Sequence, residues 1–282
     1  MPSKLEERAE RRKARQLAKE RWANAHKGWK SYSRNLEAAA RMVGQIIKAH
    51  LPTLESGEAG WQLALQQMIA ALERYSKALD PWAISVARLM LAEVDRREKR
   101  AWIEHGREIG RNLLLELENA PTGRAYQEGM QRQVGLITSL PLVAAQRVHE
   151  LAIGQLYSGL RGKELLEEIL KTGNVTVSRA KLIARTEVAR ASTELTRARA
   201  EYVGSPGYIW RTARDVDVRA SHKKLEGTFH RWDDPPLCDY PNYHAHPGQI
   251  FNCRCYPEVI VPDVNDIDIP NFPKKDKRFT SA

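Results

Sequence analysis

Residues 222–255 gather all three cysteines of the chain, Cys238, Cys253 and Cys255, and four of its eight histidines, His222, His230, His244 and His246. That is far more than even scatter would place in 34 of 282 residues. Imidazole and thiolate are the donors zinc prefers, and structural zinc sites close with four of them. The expected ligand set is His222, His246, Cys253 and Cys255, although the spacing is not that of a standard C-x-x-C zinc motif. Cys253-Arg254-Cys255 is a C-x-C pair, and on a strand positions i and i+2 share a face, so both sulfurs aim at a common point. The strand must bend to bring them together on one ion. The window is poor in apolar residues and contains Pro235, Pro236, Pro241 and Pro247, so a bound metal would supply stabilisation that packing cannot. The competing reading is a set of hydrogen-bonded histidines beside small buried thiols. A disulfide is disfavoured in a reducing compartment.

The elements around this window read as follows. Leu36, Ala40, Val43 and Ile47 recur at helical spacing over 34–50, with Pro52 as the stop. Trp61, Leu65, Ile69, Leu72 and Leu79 form a second apolar stripe. Asp80-Pro81 is a helix start, with an N-cap followed by proline at the first helical position. That helix extends toward Glu118 and ends at Asn119–Gly123. A further helix begins near Ser139-Leu140-Pro141 and ends at Gly159–Gly162. A short helix over 163–171 closes on Gly173. A longer one, capped by Ser178, runs to Val203, with Gly204 past its end. Ala180, Ala184, Ala191 and Ala198 give this last helix a small-residue face suited to close packing. Strands are expected over 208–212, 228–232 and 253–261, with a helical turn over 217–226 and an irregular proline-rich loop before Cys253. The fold class is therefore α+β: a mostly α-helical N-terminal domain followed by a small α+β domain with a short antiparallel sheet. The domain limits are 1–133, 134–262, and an extended or disordered tail over 263–282.

The formal net charge of +10 is not spread evenly. Residues 1–50 carry 13 basic and 5 acidic side chains, residues 151–200 carry 9 and 5, and the other blocks are near balance. The N-terminal excess includes Arg8, Arg11, Arg12, Lys13, Arg15, Lys19 and Arg21. Such an arm neutralises phosphates and releases counterions, giving salt-dependent affinity for double-stranded DNA without sequence preference. A solvated helix end or a docking helix for an acidic protein would carry the same charges. No stretch has the roughly 20 apolar residues of a membrane span. Met1–Glu7 has no apolar signal core, which predicts no secretory route. Three cysteines make no disulfide framework. No H-E-x-x-H, nucleophile elbow or P-loop occurs, and there is no recognition-helix motif of a DNA-binding regulator.

An ordered set of short motifs adds a resemblance. Leu136–Pro141, Gly159-Leu160-Arg161-Gly162, Ala184-Arg185-Thr186-Glu187, Trp210-Arg211-Thr212, Asp215, Asp217-Val218-Arg219, Ser221-His222, Gly227, His246-Pro247 and Asn252-Cys253-Arg254-Cys255 follow in sequence over about 134–262. In order and spacing this resembles the phage head-morphogenesis (Mu F-like) minor head protein family. The resemblance implies a non-enzymatic minor capsid protein, present in few copies and associated with the portal, with major capsid or scaffold proteins and with packaged DNA. It implies a place in the host cytoplasm during assembly and then in the virion, inside the capsid. Arg185, Glu187, Trp210, Asp215, Arg219, Gly227 and Asn252 match the family's pattern, together with His222, His246 and the Cys pair. They are expected to act as a structural core, in which Arg185 and Glu187, if buried, need partners such as Asp215 and Arg219. The alternative is a metal-dependent nuclease or hydrolase built on the His/Cys cluster, with Glu226 or Asp233 as general base.

Overall fold

The computed structural model describes residues 28–55, 58–108, 119–158, 162–239 and 241–261. The basic residues Arg8 to Arg21 and the tail over 263–282 lie outside the described residues. Among the described residues, five long helices are followed by a small mixed region: α1 (Trp29–Glu55), α2 (Glu58–Ala78), α3 (Asp80–Glu108), α4 (Gly123–Ser158), α5 (Gly162–Tyr202), β1 (Gly207–Thr212), α6 (Ala220–Leu225), β2 (Phe229–Arg231), β3 (Leu237–Asp239), β4 (Tyr243–His244) and β5 (Cys255–Ile260). The class is α+β, as expected. Among the described residues, no helix is long and apolar enough to cross a membrane.

By packing, the chain gathers into two units of non-contiguous stretches. One comprises Trp29–Met90 and Glu128–Arg185, and the described residues of the other fall within Leu91–Gln127 and Thr186–Ala282. The first unit is all helix. On α1, Tyr32, Leu36, Ala40, Val43, Ile47, Leu51 and Leu54 are all buried, a three-to-four spacing that places them on one face. Of these, Val43, Ile47, Leu51 and Leu54 pack with Met68 and Leu72 of α2, Ala144, Ala145 and Val148 of α4, and Leu165 and Ile169 of α5. Each fully buried Leu or Ile contributes roughly 1.5–3 kcal/mol by removal from water.

Three helix boundaries differ from the sequence reading. Pro52 lies inside α1, which runs on to Glu55. A proline so near a helix end forfeits only the bond to the carbonyl four residues back. Pro141 lies inside α4, which begins at Gly123 rather than near Ser139. A mid-helix proline frees carbonyls on the preceding turn. Beside that break, the Thr138 carbonyl accepts a 2.7 Å hydrogen bond from the Ser76 hydroxyl. Finally, Gly173 does not end a helix: α5 is continuous from Gly162 to Tyr202. The glycine marks a close helix crossing, since a Cβ at Gly173 would stand 3.0 Å from the Gly44 Cα.

In the second unit, β1 is the central strand of an antiparallel sheet ordered β2-β1-β5. Gly207 faces Arg231 on β2 and Ile260 on β5, and Thr212 faces Cys255 at the other end. The proline-rich stretch is not wholly irregular, because β3 and β4 form a two-stranded ribbon. Beside the sheet, α3 and the C-terminal half of α5 are joined by buried polar contacts. The Glu98 carboxylate accepts from Ser192 and Thr196, each at 2.5 Å, and the fully buried Arg199 donates to Asp95 at 2.5 Å. Burial raises the Glu98 pKa above the ordinary glutamate value, against the pull of those two hydroxyls.

The Gly44–Gly173 crossing gives a direct test. Gly173→Ala should lower the melting temperature, by the equivalent of about 1–3 kcal/mol for overpacking, although alanine is the better helix former. Gly135→Ala, where nothing lies within 4 Å of the added Cβ, should raise stability by up to about 1 kcal/mol. Thermal unfolding of the two variants separates a packing glycine from an incidental one.

Candidate metal centre

Three segments bring the cysteine pair and His222 together. Helix α6 presents His222 from its first turn. The loop before β5 presents Cys253, and the first residue of β5 is Cys255. The bend that the C-x-C spacing demands is supplied just ahead of the strand. Asn252 adopts a left-handed backbone with φ 52°, and the Cys253 N–H closes a turn onto the Ile250 carbonyl at 3.1 Å. Cys253 thus lies in the turn and not on the strand. His222 Nδ1 stands 3.6 Å from Cys253 Sγ and 3.3 Å from Cys255 Sγ. One donor atom from each residue lies within 4.8 Å of the others, and all three side chains are buried. The Trp210 indole packs edge-on against the His222 ring at 5.3 Å.

The loop that carries Cys253 is laid on helix α5. Thr193 donates to the Pro247 carbonyl at 2.6 Å and Arg190 to the Gln249 carbonyl at 2.6 Å. Between them, Gly248 has φ 88°, and a Cβ there would lie 2.8 Å from Thr193 Oγ1 and 3.1 Å from the Ala189 carbonyl oxygen. Only glycine meets both demands without strain. Its N–H donates to Cys253 Sγ at 3.3 Å. The site's flank is fixed by charge: Arg254 binds Asp215 through two guanidinium nitrogens, and Arg219 donates to the Phe251 carbonyl at 2.7 Å. Glu226 accepts from the Thr212 N–H and hydroxyl, both at 2.7 Å, and from Arg214.

These surroundings treat the two thiols differently. Burial disfavours ionisation of Cys253, but the Cys255 thiol, the His222 ring and the Gly248 N–H outweigh it and hold this sulfur well below the ordinary thiol range. Burial, reinforced by the neighbouring Cys253 sulfur, pushes Cys255 strongly upward. The two sulfurs are thus inequivalent, the surroundings favouring the thiolate at Cys253 and the thiol at Cys255. Soft sulfur with imidazole is the donor chemistry suited to zinc.

The other sequence-selected residues take separate places. His246 is buried, but its Nδ1 pairs with the Tyr208 hydroxyl at 2.9 Å and its Nε2 faces Arg197 at 3.4 Å. A guanidinium can only donate, so Nε2 accepts and the neutral ring carries its proton on Nδ1. His246 thus sits in an aromatic group with Tyr208 and Trp232 rather than with the three-donor cluster. Cys238 donates to the Tyr243 carbonyl at 3.2 Å within the ribbon, and burial lifts its pKa to about 11. Trp210 is fully buried, and Gly227 turns the chain with φ 80°. Of the two charges expected to need partners if buried, Arg185 is exposed and Glu187 is buried. Arg185 stacks 5.1 Å over the Trp29 ring, Glu187 pairs with Arg190, and Asp215 holds Arg254. The Gly248 contact and the Tyr208–His246–Arg197 chain escaped sequence reasoning. A glycine directly after His246-Pro247 was the only signal for either.

Residues 146–257 match the family described as Phage Mu protein F like protein. The chain is 30% identical over 167 residues to an uncharacterized protein of Haemophilus influenzae, covering 59% of this chain and 36% of that protein. It is 27% identical over 161 residues to the Minor head protein GP7 of Bacillus phage SPP1, covering 52% of this chain and 51% of that one. The aligned stretches span about half or less of these relatives. No solved structure matches.

The histidine outside the cluster yields a pH prediction. Burial, then Arg197 and His230, lower the His246 pKa from 6.5 to about 4, and burial lowers His230 to about 4. Both rings bind a proton more readily once the chain unfolds. Their contribution is complete above about pH 6.5 and drains away as pH falls toward 4, by up to about 3 kcal/mol for His246. Melting temperatures across that window should fall less steeply for His246→Gln than for the parent protein. Equal slopes would show that His246 is not held neutral by the fold.

Proposed function

From the match of residues 146–257 to the family described as Phage Mu protein F like protein, we propose that this chain is a non-enzymatic minor head protein. It acts inside the capsid, joining the portal and capsid components to packaged DNA during head assembly and genome packaging or delivery. The observation that carries the DNA part is the placement of charge. Residues 1–27 hold nine lysines and arginines against four glutamates. Many described cations of the second basic block instead have acidic partners within the fold: Lys171 with Glu168, Lys181 with Glu37, Arg190 with Glu187, Arg197 with Glu201 and Arg199 with Asp95. The N-terminal segment is the stretch of sequence with the largest positive excess, and Arg8, Arg11, Arg12, Lys13, Arg15, Lys19 and Arg21 are the phosphate contacts in this reading.

The nuclease reading gains nothing from the site. Glu226 is committed to Thr212 and Arg214, and Asp233 is paired with Arg231 at the surface. Neither carboxylate stands ready to activate water.

Seven phosphate contacts would give a log–log salt slope of about −6 and an affinity loss of roughly 10³–10⁵ between 50 and 200 mM salt. Replacing the seven basic residues with glutamine in the full chain should flatten that slope and lower DNA affinity equally for unrelated sequences. Fluorescence anisotropy on two unrelated duplexes measures both. A slope unchanged by the replacement would remove the arm from the account, and a strong preference for one duplex would replace counterion release with base reading.

A further inference from the structure

We propose that His222 Nδ1, Cys253 Sγ and Cys255 Sγ together bind one zinc-class divalent ion, and that this ion fastens the loop before β5 to helix α6. The inference stands apart from the portal and DNA reading, since it rests only on the geometry of the cluster. A tetrahedral ion about 2.3 Å from a thiolate and about 2.0–2.1 Å from an imidazole sets sulfur–nitrogen edges of about 3.6 Å. The two edges present are 3.6 and 3.3 Å, so the donors already stand at coordination spacing. All three side chains are at most 3% exposed.

The polar surroundings agree with a metal. The two sulfurs are the hydrogen-bonding neighbours of the His222 ring among the described residues, and its Nε2 is buried without a partner. An ion at Nδ1 keeps the single ring proton on Nε2. The Gly248 N–H bond to Cys253 Sγ is the outer contact that stabilises a metal thiolate and orients it. Binding replaces the S–H bond of each protonated thiol with a sulfur–metal bond and releases its proton to solvent. No redox partner is needed.

The proposal departs from the sequence expectation at one ligand. His246 is spent on Tyr208 and Arg197, so the protein supplies three donors from the described residues. The fourth position falls to solvent or to a group outside them.

The test uses the full-length protein, stripped of metal and titrated with cobalt(II). One equivalent should produce an intense near-ultraviolet thiolate-to-cobalt charge-transfer band together with the visible bands of a tetrahedral ion, and zinc should abolish both by displacement. Cys238→Ser and His246→Gln should keep the spectrum, while Cys253→Ser and Cys255→Ser should each lose much of the charge-transfer band. Circular dichroism of each variant checks folding, and the parent protein's own spectrum decides the matter if a variant fails to fold. The proposal is overturned if the folded parent protein gives no charge-transfer band with cobalt. It is overturned equally if the band survives in the Cys253→Ser/Cys255→Ser double variant.

Discussion

Everything in the small mixed unit depends on a loop lying closer to a helix than any side chain would allow. Gly248 rests against Ala189 and Thr193 of α5, and its amide points at the Cys253 sulfur. One backbone position thus ties the loop to the helix beneath it and to the His222–Cys253–Cys255 cluster. A Cβ at residue 248 would push the loop off α5 and turn its N–H away from the sulfur. The cluster, the turn at Asn252 and the start of β5 follow from that seat, because each is placed by the few residues between Gly248 and Cys255.

The same unit shows how a region with few large apolar residues holds its shape. Its apolar centre is built around Tyr208, Trp210 and Trp232, with the three cysteines filling the gaps. Around it, polar groups are matched individually. Glu98 has two hydroxyls, Glu226 has Thr212 and Arg214, and Asp215 has Arg254. Buried charge is costly without partners and specific with them. Several residues that look chemically active in sequence are here performing this matching. Glu226 and His246 are the clearest examples: a carboxylate and an imidazole whose hydrogen-bonding capacity is spent inside the fold.

Much of the architecture was legible because local periodicity dictates it. The apolar stripe of α1, the Asp80-Pro81 start of α3, the strand expected over 208–212 and the helical turn before Gly227 all follow from short-range rules. The errors arose where tertiary contact overrode those rules. Gly173 and Pro141 read as helix breaks, but one admits a neighbouring backbone and the other lies within the continuous α4. At the site, His222 and the Cys pair were legible from residue type and spacing. The separate place of His246 was not, since it is decided by Tyr208 and Arg197, which lie 38 and 49 residues away in sequence. The Asp215–Arg254 pair, 39 residues apart in sequence, was hidden for the same reason.

The central claim is that the loop over 246–253 is held in place by its contacts with α5 and with the His222 cluster, and not by its own sequence. Hydrogen–deuterium exchange in a His222→Ala variant measures this directly. The amides of 246–255 and of α6 should exchange much faster than in the parent protein, while those of α1 and α2 keep their rates. Unchanged protection across 246–255 would mean that the cluster does not hold the loop.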